Sequence, residues 1–83
     1  MSKQGQVERA KQDLARYLSV DESSIVVKSA RSTQWPDASL GVGEGTGDAF
    51  AMVLIDGYVI ELQAKARTYA YHADEDRRVA RAW

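Results

Sequence analysis

Apolar positions recur at helical spacing in one stretch of the chain. Val7, Ala10, Leu14 and Leu18 follow steps of three and four residues, which stacks them on one face of a helix. This predicts a helix over residues 4–18, with Tyr17 at the edge of the stripe, ending before the turn-forming Asp21-Glu22-Ser23-Ser24. A helix of this length is marginal in water on its own, so the stripe has to pack on something. The remaining pattern supplies a sheet. Residues 25–30 open with Ile25, Val26 and Val27 and read as a first strand. Residues 49–55 and 58–64 read as two arms of a hairpin, because Asp56-Gly57 between apolar runs is a favoured two-residue turn. Along the second arm, Tyr58, Ile60 and Leu62 alternate with Glu61 and Gln63, as in a strand with one buried and one wet face. Residues 68–72 form a further strand after a turn near Lys65-Ala66. Residues 73–77 turn again, and 78–82 return as a short edge strand.

The expected fold class is therefore α+β: one N-terminal helix packed on an antiparallel meander of four to five strands, with residues 1–83 as one domain. The layout resembles cystatin-like and PepSY-like domains, an analogy of fold that implies nothing about activity.

Charge and composition narrow the functional classes. Eleven basic and twelve acidic side chains leave a net charge of −1, without the basic excess of nucleic-acid or membrane-surface binders. The absence of cysteine removes disulfides, zinc–thiolate sites and thiol nucleophiles. No apolar run approaches the roughly 20 residues that span a bilayer. The polar lead-in 1–6 is not a signal peptide. As written the chain is expected in the cytoplasm, or outside it if a leader was removed.

Residues 34–48 form a long connection, the kind that is either functional or disordered. Its start, Trp35-Pro36-Asp37-Ala38-Ser39-Leu40-Gly41, is followed by Asp56-Gly57-Tyr58-Val59-Ile60-Glu61-Leu62 and by Tyr69-Ala70-Tyr71-His72-Ala73-Asp74. Together these segments resemble a family of small uncharacterised bacterial domains, often found in lipoproteins or exported proteins. That family's pattern has a WPDxSLG loop, a PGYxIxL strand and a YxYHTD strand. The chain departs from it at Val42-Gly43, where the family has Cys-Pro, at Asp56 in place of proline and at Ala73 in place of threonine. The family's cysteines are absent here. The resemblance implies a fold and no activity.

Each candidate for chemistry has a plainer reading. Gly41, Gly43, Gly45 and Gly47 enclose Glu44 and end at Asp48, so they read as a connector, not as a phosphate cradle. Asp37, Ser39 and His72 could form a hydrolytic set, but the strand–turn–helix context of a nucleophile elbow is missing. Asp37 and Ser39 then shape the turn after Pro36. His72 with Asp74 and Asp76 offers too few ligands for calcium or zinc. Trp35, Tyr69, Tyr71 and Arg67 are the residue types of interface hot spots. The alternative is that the tyrosines complete the helix-facing core and Trp35 plugs one end of it.

The reading that follows is a non-catalytic binding module with no cofactor and no metal, its partner a protein or peptide. Contact would run through the 34–48 loop or a sheet edge, in the manner of a peptidase inhibitor, with Trp35, Asp37, Ser39, Arg67, Tyr69, Tyr71 and His72 as candidate contacts. Nucleic acid is not expected as a ligand. Homodimerisation through edge strands stays open. A small regulator of a nucleic-acid enzyme, phage- or host-encoded, is one alternative function. A hydrolase using Ser39, His72 and Asp37 is the other.

Overall fold

The predicted stripe forms helix α1, Lys3–Leu18, in a computed structural model that describes residues 3–35, 55–75 and 78–83. Ala10 and Leu14 are fully buried, and Val7 and Leu18 pack at the border of the core. The helix stops where Ser19 adopts a left-handed conformation, φ 57°. Val20 N–H then donates to the Ala15 carbonyl (3.0 Å) and Ser19 N–H to that of Arg16 (3.4 Å). This is the double closure of a Schellman end, here without its usual glycine.

Among the described residues four strands follow in the order of the sequence, β1 (Val26–Trp35), β2 (Ile55–Ala64), β3 (Arg67–Asp74) and β4 (Val79–Arg81), each antiparallel to its neighbour. The alternation read along residues 58–64 holds: Ile60 and Leu62 are fully buried and Tyr58 packs against them. Opposite Ile60 stands Tyr71, and opposite Tyr58 stands Ala73, both fully buried on the same face. Together with Ala10, Leu14 and Ile25 these residues make the core between α1 and one face of the sheet.

Three expectations are corrected. Asp56-Gly57 is not a hairpin turn: both residues lie inside β2, and Thr33 pairs with Gly57 as Gln34 does with Asp56. The partner of β2 is accordingly β1; residues 49–54 of the expected arm lie outside the described residues. Gln34 and Trp35 belong to β1 and not to a loop, so the first strand runs to residue 35. Ala73 and Asp74 likewise extend β3 where a turn was expected.

The physical reason at 56–57 is steric. Gly57 is outside the left-handed region, so its value here is not turn formation. A Cβ on it would strike the Ala73 carbonyl oxygen and come within 2.7 Å of Trp35 Nε1. The strand needs a missing side chain so that the indole can cross it. The two-residue turn falls instead on Lys65-Ala66, with φ of 51° and 63°. Two successive positive φ values are the signature of a type I′ hairpin, adopted here by residues with side chains.

Candidate functional site

The two edges of the sheet are built differently, and the sequence-predicted residues divide between them. Trp35 closes the far end of β1. Its indole N–H donates to the Ala73 carbonyl at 2.9 Å, and its ring stacks on His72 with centroids 4.4 Å apart. The register places Trp35, Gly57 and His72 on the face opposite the helix, since they alternate with the half-buried Tyr58 and the buried Tyr71 and Ala73. Trp35 thus plugs an end of the sheet, though on the face away from the core.

Tyr69 and Tyr71 occupy the helix-facing side. Tyr71 is fully buried and donates its hydroxyl to Asp13 Oδ2 at 2.6 Å. Arg81 on β4 donates to the same carboxylate through Nε (2.7 Å) and Nη2 (3.2 Å). These two donors hold the Asp13 carboxyl below the usual carboxylate range, the hydrogen bond from Arg81 contributing most. Burial, followed by the hydrogen bond to Asp13, pushes the Tyr71 hydroxyl well above its ordinary value. Tyr69 is half-buried. Trp83 meets Tyr17, Tyr69 and Tyr71 edge to face, with centroids 5.1 to 5.6 Å apart, and the Arg81 guanidinium lies 4.6 Å over the Tyr17 ring. Arg67 is exposed at the start of β3. Asp37 and Ser39 lie outside the described residues.

The structure therefore joins Trp35 to His72, and Tyr69 to Tyr71 through Trp83, on opposite faces of one sheet. Periodicity did not reveal the residues that fasten β4. Gln6 is the clearest example: it reads as part of a polar lead-in, yet only 1% of it is exposed. Its Nε2 donates to the Asp74 carbonyl (2.8 Å), Asp74 Oδ1 (3.1 Å) and the Arg78 carbonyl (3.1 Å), gripping the β3–β4 turn from the helix. Its only sequence signal is its position one turn ahead of Ala10 on the apolar stripe.

At the other edge, β1 offers ten residues with no described strand on its outer side. Val26 and Val27 are 58% and 40% exposed there, and Lys28, Arg31, Ser32 and Gln34 are exposed too. Val27 pairs with Leu62 and Ser29 with Glu61, so Lys28 is an extra, bulged residue. Past the bulge the strand runs straight from Ser29 to Trp35. Beside its second half lies an open depression of about 460 Å³, lined by Ser32, Thr33, Gln34, Asp56, Gly57, Tyr58 and Glu75. Gln34 donates its amide to Asp56 Oδ1 at 2.9 Å across the rim. Lys28 and Arg31 stand on β1 itself, whereas Asp56 lies on β2 and Glu75 just past β3.

Among the described residues no group of three or more His, Cys, Asp or Glu is placed to hold a metal ion, and no helix is long and apolar enough to cross a membrane. Fold and edge together define a helix-on-sheet α+β domain whose long first strand meets no other described strand on its outer side. Residues 7–82 match the family model described as Domain of unknown function (DUF8738), and the chain belongs to that family. The match agrees with the resemblance to a small uncharacterised domain family. Neither the curated proteins nor the solved structures compared with the chain contain a match.

Proposed function

We propose that this chain is a non-catalytic interaction domain that binds an extended protein segment along the outer edge of β1. The observation carrying this reading is the edge itself: a straight run from Ser29 to Trp35 whose outward side meets no described strand. An unpaired row of N–H and C=O groups is a template for strand addition, where main-chain hydrogen bonds give affinity and side chains give selectivity. Exposed Val26 and Val27 add apolar area at one end. His72 supports a structural role over turnover, because one face of its ring lies against Trp35. An inhibitor of a peptidase is one form such a module takes, the bound segment then belonging to the rim of the enzyme's cleft.

A display library of random ten-residue segments, selected against the intact chain, tests the reading. Selected segments should slow amide exchange at residues 29–35. Binders that protect only other residues, or no binders at all, would reject it. A panel of peptidases whose rates stay unchanged on titration would reject the inhibitor form alone.

A further inference from the structure

Away from β1, the C-terminal turns of α1 and the end of β4 form a second surface. We infer that it docks an acidic protein segment, whose carboxylate side chain meets Arg16 and Arg81 while its neighbours lie on Tyr17 and Trp83. The two rings are 51% and 48% exposed and meet edge to face at 5.6 Å. They are seated firmly. Trp83 also packs edge to face on the half-buried Tyr69, with centroids 5.1 Å apart. Just before it, the Ala82 N–H donates to the Ala70 carbonyl at 2.9 Å, which continues the ladder beyond β4. Exposed aromatic side chains held in place beside arginine have the composition of a binding hot spot, and little entropy is left for a partner to remove.

The guanidinium groups select the occupant. Arg81 spends Nε and one N–H of Nη2 on Asp13, which leaves Nη1 without a described acceptor on a side chain 42% exposed. Arg16, next to Tyr17 on the helix, is exposed and near enough for its charge to act on Asp13. Asp21 and Glu22 share a depression with Arg16, yet no carboxylate lies within salt-bridge distance of it. Arg67, two positions before Tyr69 and on the same face of β3, adds a third arginine. Three arginines thus surround one aspartate that is already engaged, in a chain whose net charge is −1. A guanidinium fork is matched by the two oxygens of a carboxylate. Nucleic acid also offers anionic oxygens, but its bases need open ring faces to stack on. Here the Arg81 guanidinium covers one face of Tyr17 at 4.6 Å, and Trp83 is packed edge to face among three tyrosines. A carboxylate-bearing peptide fits this surface better.

Random ten-residue segments displayed against the intact chain, eluted with salt, test this. The eluted pool should be enriched in aspartate and glutamate. Its segments should shift the Trp83 indole N–H resonance and bind about tenfold more weakly to Arg16→Glu and to Tyr17→Ala. Exchanging their acids for amides should cost about as much, and affinity should fall as salt rises from about 50 mM to about 500 mM. Arg16→Glu removes no ion pair or side-chain hydrogen bond, so its circular dichroism should match the wild type and it tests the surface even if Tyr17→Ala loosens β4. A pool without acidic enrichment, segments indifferent to Arg16→Glu, or no binders at all overturns the inference. So do segments that act only on residues 29–35, an outcome that leaves the β1 reading standing. A labelled single-stranded oligonucleotide should bind more weakly than the segments; tighter binding overturns the inference in favour of nucleic acid.

Discussion

The two edges of this sheet reach stability by opposite means. β4 has three residues, too few for its ladder to hold it, and it is fastened by side chains that reach across from α1. Asp13 takes Arg81, Gln6 grips the turn before β4, and Tyr17 meets Trp83 and Arg81. β1 has ten residues and a full ladder to β2, and it is fastened chiefly at its ends: Ile25, just before the strand, is buried in the core, and Trp35 lies across Gly57 onto His72. A short edge strand is held by being stapled to the helix. The long strand is held by its ladder on the inner side, and among the described residues no strand meets its outer side, which the bulged Lys28 interrupts.

Breaking the staple of β1 should cost most. Trp35→Ala removes a buried indole, its hydrogen bond and its stack, and is expected to lower stability by about 3–5 kcal/mol in urea denaturation. Gly57→Ala should cost about 1–3 kcal/mol by forcing a methyl group into the Ala73 carbonyl and the indole. Combining it with Trp35→Ala should give less than the sum of the two, since the sites touch.

The staple of β4 is next. Asp13→Ala leaves the buried Tyr71 hydroxyl without its acceptor and Arg81 without its partner, an expected loss of about 2 kcal/mol with faster amide exchange at Val79–Arg81. The same variant should flatten the pH profile. The folded-state pKa of Asp13 is depressed, so its contribution is fully present above the unfolded carboxylate value of about 4 and drains away as pH falls below it. The folded-state pKa of Tyr71 is raised, so its contribution is present below about pH 10 and declines as pH rises beyond it. Wild-type stability should fall on both sides, and Asp13→Ala should lose its acid slope but only part of the alkaline one, because burial is the larger cause at Tyr71, when thermal unfolding is followed from acid to alkali.

The smallest effects belong to the backbone and the open edge. Ser19→Gly and Ala66→Gly place glycine where φ is already positive, and each should gain about 0.5–1 kcal/mol. Val26→Thr should change stability by less than about 0.5 kcal/mol, because that side chain is mostly in water. Were Val26→Thr to cost as much as Asp13→Ala, the contrast between an open and a stapled edge would fail.

Much of this architecture was legible in the sequence, and the errors have a common source. The α1 stripe, the alternation of Tyr58, Ile60 and Leu62, and the turn near Lys65-Ala66 depend on neighbours within a few residues, so periodicity reports them. Asp56-Gly57 misled because the same dipeptide serves two purposes. A local reading sees a residue free to take positive φ, whereas the fold uses the empty space above Gly57. Of the candidate contacts, Trp35 and His72 meet each other, while Tyr69 and Tyr71 belong to the helix side. No spacing rule could sort them without the register.

The sequence alone thus determined the helix, the alternating strand and the α+β class, because each is a repeat of polar and apolar positions along a contiguous segment. The tertiary structure alone decided that β1 continues to Trp35, that Gln6 is a buried clamp, and that Asp13 meets Arg81 from 68 residues away. It also decided which edge strand is stapled to the helix. These are matters of which surfaces come face to face, and no pattern within one segment records them.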